Sequence, residues 1–184
     1  MTTTHDLLDH VEDTVRVGEQ SGLVLGARHA VLRVLAARRL DTVCVSNRHA
    51  VLAESSVPQL MRWLAVAARA NVGTALVGDD GTRDPARRRL RHQELPLVED
   101  LLRFGSYRGV VAATRLALLR LTEARGLSCS EEERRTIDAE ESVAQLIRWL
   151  DAALVAQSAA EILPNRSEED DTELFRAIVD DRTE

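Results

Sequence analysis

Residues 16–33 read RVGEQSGLVLGARHAVLR, and how this stretch is read decides the fold. Gly18, Gly22 and Gly26 recur at every fourth position in a segment whose other residues favour a helix. A glycine inside a helix costs ~1 kcal/mol relative to alanine. Three on one stripe therefore ask for a compensating gain. A spacing of four places them on one helical face. Such a face lets a second backbone come close, and tight packing with weak Cα–H···O contacts then offsets the propensity cost. The competing reading is a helix that is bent or frayed at its glycines.

The stretch is not alone in the chain. A shift of 87 aligns residues 5–40 with residues 92–127 and gives 16 identities in 36 positions. His5 falls on His92, the VED of 11–13 on the VED of 98–100, and Gly18 and Gly22 on Gly105 and Gly109. After a one-residue gap, residues 54–78 align with 140–164 and give 10 identities in 25 positions, with ESSVPQLMRWLAVAA at 54–68 on EESVAQLIRWLDAAL at 140–154. Biased composition alone gives roughly one identity in twenty to one in ten. The chain therefore carries an internal duplication. The copies span residues 4–78 and 92–164, joined by a basic linker at 79–91 and followed by an acidic tail at 165–184.

Each copy reads as a long helix followed by shorter ones. The long helices are expected over about 6–39 and 96–125, the second opening on Pro96, where a missing N–H is harmless, and stopping at Gly126. In the second copy, Ser130 and Glu133 have capping-box spacing at the short helix that follows. The third helix of each copy starts at Ser56 or Ser142, with Gln59 or Gln145 three residues on, again as a capping box. Its apolar stripe is Leu60, Trp63, Leu64 and Ala67, matched by Leu146, Trp149, Leu150 and Ala153, which is one buried face. Trp63 and Trp149 are thereby assigned to the core. Ser158 and Glu161 are expected to cap a last short turn before Pro164. The fold expected is all-α: two tandem, pseudo-symmetric helical repeats. The stripe of Gly18, Gly22 and Gly26 would pack against Gly105, Gly109 and Ala113 of the other copy. A fused duplicate of this kind reproduces the contact of a symmetric dimer.

Composition agrees and excludes several classes of chemistry. Of 184 residues, 45% are apolar and 3% aromatic, which disfavours a β-sandwich or a base-stacking platform. Net charge is −6, so the molecule as a whole does not attract nucleic acid or anionic lipid. There is no lysine at all. A Walker A loop, a Schiff-base lysine and a nuclease site built on acids plus lysine are therefore excluded. The amino-terminal residues 1–13 have no apolar stretch of signal type, and no run of 18 apolar residues occurs. The expectation is a cytoplasmic protein whose two thiols stay reduced.

The second copy also carries a resemblance. The sequence ARGL at 124–127, then SEEERRTI at 130–137, then LIRWLDAALVAQSAAEIL at 146–163, resembles the helical carboxy-terminal region of the recombination-promoting nuclease family, the transposase-like nucleases. In the first copy AARRL at 36–40 and LMRWLAVAARA at 60–70 look like a more diverged version. In that family the nuclease is a separate amino-terminal domain, which has no counterpart in this sequence, so no catalytic residue carries over. The resemblance implies a helical, self-associating tail that bears on a nuclease domain, in a setting of DNA cleavage and phage defence.

The residues themselves offer little catalytic chemistry. His5, His10, His29, His49 and His92 have no metal spacing with thiols or carboxylates, and no metal or other cofactor is expected. Cys44 and Cys129 have no CxxC partner and no evident base. Arg83, Arg87, Arg88, Arg89 and Arg91 form the one basic cluster. It reads either as phosphate or acidic-partner contacts or as a solvated linker that pairs with the acidic tail. In the tail, Leu174, Phe175, Ile178 and Val179 share a narrow helical face. That face docks either on the chain's own repeats or on a partner, while the carboxylates stay in water or meet arginines. We take it as the candidate partner-binding face. The function expected is that of a non-enzymatic interaction or regulatory protein, antitoxin-like in character. It would bind, inhibit or assemble a nuclease-like or phage-defence partner, with self-association possible in principle. The alternative is a small DNA-associated regulator that contacts phosphates through Arg83–Arg91.

Overall fold

The glycine-bearing stretch lies within one uninterrupted helix, α1 (Thr4–Ala37). The computed structural model describes residues 4–38, 45–70, 96–163 and 171–180. After α1 come α2 (Val45–Ala53), α3 (Val57–Arg69), α4 (Pro96–Ala124), α5 (Glu131–Ala139), α6 (Val143–Val155), a 3-10 turn (Ala159–Glu161) and α7 (Asp171–Asp180). No strand occurs among the described residues, so the fold is all-α.

Local chemistry accounts for most boundaries. Ser130 caps α5 with the full reciprocal box: its hydroxyl accepts from Glu133 N–H at 3.2 Å, and Glu133 accepts from Ser130 N–H at 2.6 Å. Ser56 and Ser142 also cap their helices, accepting from Gln59 and Gln145 N–H at 3.4 and 3.0 Å. The reciprocal half differs from the sequence expectation. It is supplied by an upstream carboxylate, Glu54 to Ser56 N–H at 2.7 Å and Glu140 to Ser142 N–H at 2.8 Å. A glutamate two residues before the cap can reach back to its N–H as an anion, which a glutamine side chain cannot match in strength. Ser158 is a second correction. It makes no side-chain cap, and its hydroxyl donates to Glu161 at 3.1 Å instead.

α4 stops as expected. Gly126 adopts φ +72°, Gly126 N–H donates to Glu123 O at 3.0 Å and Leu127 N–H to Thr122 O at 2.9 Å, a Schellman ending. A Cβ on Gly126 would meet nothing within 4 Å. The penalty for a side chain is therefore conformational alone. Gly126→Ala should lower stability by about 1 kcal/mol in urea unfolding, and Gly126→Asn by less, because asparagine tolerates the left-handed region.

Among the described residues, α1 and α4 form the most extensive contact between helices. A Cβ built on Gly18 would lie 2.5 Å from Leu102 O and 3.0 Å from Gly105 Cα, and one on Gly26 would lie 2.9 Å from Ala113 Cβ. Partners advance together along both helices, so α1 and α4 run parallel. The contacts are also reciprocal. A Cβ on Gly22 would lie 2.0 Å from Ser106 O and one on Gly109 2.1 Å from Glu19 O, and Glu19 and Ser106 are matched positions of the duplication. A Cβ on Gly105 would likewise lie 2.3 Å from Val15 O, Val15 being the match of Leu102. The glycines thus sit where two backbones touch, and neither helix breaks.

α3 packs against both long helices, and α6 packs mainly against α4. The core interleaves Ala27, Val31, Val34 and Leu35 of α1 with Leu60 and Leu64 of α3, Ala117, Leu118 and Leu121 of α4, and Leu146 and Leu150 of α6. The apolar stripe read from the third helices faces this core with one difference. Trp149 is 4% exposed, whereas Trp63 is only partly buried against it. Trp149 also donates its indole N–H to Leu163 O at 3.2 Å. The stretch of the first copy that matches Leu163 lies outside the described residues.

Candidate functional site

Polar chemistry converges on three places, each reached from a helix end or face. The first is a set of arginines that bond to backbone carbonyls. Arg28 donates from Nε to Glu54 O at 2.7 Å, and Arg115, its match in the second copy, donates from Nε to Glu140 O at 2.8 Å. Arg38 donates to Ala68 O at 2.6 Å, and its match Arg125 donates to Ala153 O. Ala68 and Ala153 lie in the last turns of α3 and α6, whose carbonyls have no partner within their own helix and carry the negative end of the helix dipole. The arginines supply both a donor and a countercharge. The Arg38 Nε is buried without a hydrogen-bond partner. Burial, and then the charge of Arg38, lowers the pKa of Arg125 from its ordinary value. Arg33 crosses from the first copy to the second and grips Asp151 with two bonds, one of 2.9 Å.

The second place is the start of α6, where α7 arrives. Ala144 N–H donates to Asp171 Oδ1 at 2.7 Å and the Ser142 hydroxyl to the same oxygen at 2.9 Å. The Tyr107 hydroxyl lies 3.0 Å from Asp171 Oδ2 and 2.9 Å from Glu141 O, so its single proton is shared between two acceptors. The carboxylate thus satisfies an orphan amide of α6 and adds negative charge at that helix's positive end. Burial, followed by the hydrogen bond and charge of Asp171, pushes the Tyr107 phenol up to about 12, and a backbone contact from Val143 works against this. A folded pKa raised above the unfolded value of about 10 means the native state holds the phenolic proton more tightly. The stabilisation is complete below pH 10 and is lost as pH rises toward 12. Because solvent screens a half-exposed phenol, about 1 kcal/mol is expected. Urea unfolding between pH 9 and 12 should show this loss in the wild type and not in Tyr107→Phe.

The third place is an open groove of about 610 Å³ between α1 and α4, lined among others by Glu19, Leu23, Phe104, Tyr107, Arg108 and Arg115. Arg108 bridges to Glu19 at 3.1 Å and its guanidinium carbon lies 5.8 Å from the centre of the Phe104 ring. Phe104 is 56% exposed.

The sequence-derived candidates fall as follows. Gly18, Gly22, Gly26, Gly105 and Gly109 are brought together at the α1–α4 contact. On the tail, Leu174, Phe175, Ile178 and Val179 pack on this chain's own core, one of the two dockings that the sequence left open for this face. Its leading carboxylate meets a helix start and a phenol, not an arginine. Arg83, Arg87, Arg88, Arg89 and Arg91 lie outside the described residues, as do Cys44 and His92. Cys129 is a free, partly buried thiol whose Sγ sits 3.7 Å from the Thr122 hydroxyl. Among the described residues, no group of three His, Cys, Asp or Glu side chains is placed to hold a metal ion, and no helix is long and apolar enough to cross a membrane.

Sequence reasoning missed the carbonyl-binding arginines, Tyr107 and Asp171. A signal for the first existed, since Arg28 and Arg38 are identical to Arg115 and Arg125 in the duplication. Nothing local marks Tyr107 or Asp171, because their meeting depends on where a separate helix lands. Compared with protein-family models, with curated proteins and with solved structures, the chain matches none.

Proposed function

We propose that this chain is a non-enzymatic interaction protein that binds, inhibits or assembles a nuclease-like partner of the kind found in phage defence. The supporting observation is how the described side chains are used. Their hydrogen bonds cap helices, tie carbonyls and seat α7, while Phe104 and, at 75% exposure, Val155 stand in solvent. Exposed aromatic side chains beside a groove are the usual anchors of a protein contact. The nuclease-like character of the partner rests on the resemblance of residues 124–163 alone.

The test is direct binding. The purified chain is titrated against purified nuclease-domain proteins of the recombination-promoting type and, separately, against duplex DNA at 50 and 200 mM salt. The reading expects a saturable protein complex that Phe104→Ala weakens about tenfold or more, together with a change in DNA cleavage when the chain is added. DNA binding that falls steeply with salt, with no protein complex, would instead assign the chain to phosphate recognition through the Arg83–Arg91 cluster.

A further inference from the structure

The contacts of α7 include a polar point and an apolar patch. The polar point is the Asp171 carboxylate, met by Ala144 N–H, the Ser142 hydroxyl and the Tyr107 hydroxyl. In the patch, Phe175 meets the Tyr107 ring edge-on, with centroids 5.4 Å apart and planes at 68°, and Ile178 is 5% exposed. Leu174 and Val179 are half-buried beside them. The matched positions of the first copy lack both decisive pieces. Gln20 stands where the second copy has Tyr107, and Pro58, which has no N–H, stands where it has Ala144. This seat is therefore particular to the second copy and does not follow from the repeated framework.

The hold is modest. Ten residues are too few for a stable helix in water, so α7 depends on its seat for its structure. Of its apolar face only Ile178 is fully buried. The seven residues 164–170 join α7 covalently to the chain that bears the seat, which makes its docking intramolecular. A helix on another protein with matching chemistry can compete for the same donors and the same patch.

We propose that the α7 seat is a receptor for a partner's amphipathic helix that opens on a carboxylate and carries apolar side chains three, four, seven and eight residues later. α7, with Asp171 followed by Leu174, Phe175, Ile178 and Val179, occupies the seat in cis until such a helix displaces it. This rests on the interaction-protein reading and gives the partner's chemistry. The carboxylate is required because three donors converge on it, and a ligand without it leaves the Ala144 amide and the Ser142 hydroxyl proton without that acceptor and Tyr107 with Glu141 O alone.

The test uses the full chain and a fluorescent peptide of residues 166–184. Ile178→Asp, made in the full chain, releases α7 and empties the seat. That variant should bind the peptide about tenfold or more tightly than the wild type, whose own tail competes. Asp171→Asn in the peptide, or Tyr107→Phe added to the Ile178→Asp chain, should each weaken binding about tenfold. A variant that stays helical by circular dichroism and binds no better than the wild type overturns the proposal, as does a peptide indifferent to Asp171→Asn. If Ile178→Asp does not fold, a protease site placed within residues 164–170 of the otherwise native chain replaces it. After cleavage the labelled peptide should exchange for α7 at one per chain, and a cleaved chain that keeps α7 and refuses the peptide overturns the seat. None of these measurements contains a partner, so their failure leaves the interaction-protein reading standing. Failure of that reading appears separately, as no complex with any nuclease-domain protein.

Discussion

Gly22→Leu should destabilise the protein by about 3 kcal/mol or more, a large share of what a domain of this size has to lose. The smallest possible side chain already fails. A Cβ on Gly22 would sit 2.0 Å from Ser106 O and 2.8 Å from Ser106 C, and both are backbone atoms that cannot rotate away. The two long helices would have to part, and with them the packing of α3 and α6 on both. Gly22→Ala should therefore lose stability too, although alanine raises helix propensity by ~1 kcal/mol. That opposition of signs makes the alanine variant decisive in urea unfolding followed by circular dichroism. A gain on Gly22→Ala would mean the stripe is bent and open, and the α1–α4 contact is misassigned.

The same contact predicts a pattern across the stripe. A Cβ on Gly109 would lie 2.1 Å from Glu19 O, so Gly109 should be as intolerant as Gly22. A Cβ on Gly26 would meet a methyl group, Ala113 Cβ at 2.9 Å, with Val110 O at 3.0 Å, so Gly26→Ala should cost less than Gly22→Ala. Gly22→Ala and Gly109→Ala made together should cost less than the sum of the two. Once one side chain has pushed the helices apart, the second enters space already opened.

Much of this architecture was legible in the sequence because it is periodic. A glycine at every fourth position, seen twice, pointed to a helix contact, and the duplication pointed to its partner. The serine caps at Ser56, Ser130 and Ser142 were legible, while the one expected at Ser158 does not form. The misses have two physical causes. The arginines on the Ala68 and Ala153 carbonyls and the carboxylate of Asp171 on α6 depend on chain segments that meet only after folding, whereas Glu54 and Glu140 act locally, on a serine two residues on, and compete with the glutamine of the expected box. The tail face shows the limit most clearly. The spacing of Leu174, Phe175, Ile178 and Val179 says that one side of α7 needs cover, and hydrophobic periodicity carries no information about which molecule supplies it. The open groove beside Phe104 was equally hidden, since an exposed aromatic is a property of the assembled surface.

The two tryptophans turn that distinction into an expected difference. As sequence they are equivalent, each in a QLxRWL context or its close variant on the third helix of its copy. As structure they are not. Trp149 is 4% exposed and its indole N–H is bonded to Leu163 O at 3.2 Å, which also ties down the segment after α6. Trp63 is only partly buried against the core. Trp149→Ala should cost about 3–5 kcal/mol, the range for truncating a large buried aromatic, with the Leu163 carbonyl left unpaired in addition. Trp63→Ala should cost clearly less, because a half-exposed ring removes less apolar surface from water and its loss leaves an open notch in place of a cavity. Trp149→Phe separates the two contributions: it keeps most of the apolar volume and gives up the hydrogen bond, so it should retain more than half of the stability that Trp149→Ala loses. Urea midpoints for the three variants at constant slope test this ordering. Equal losses for Trp63→Ala and Trp149→Ala would show that the two copies bury their third helices alike, and that the difference in burial described for the two rings is wrong.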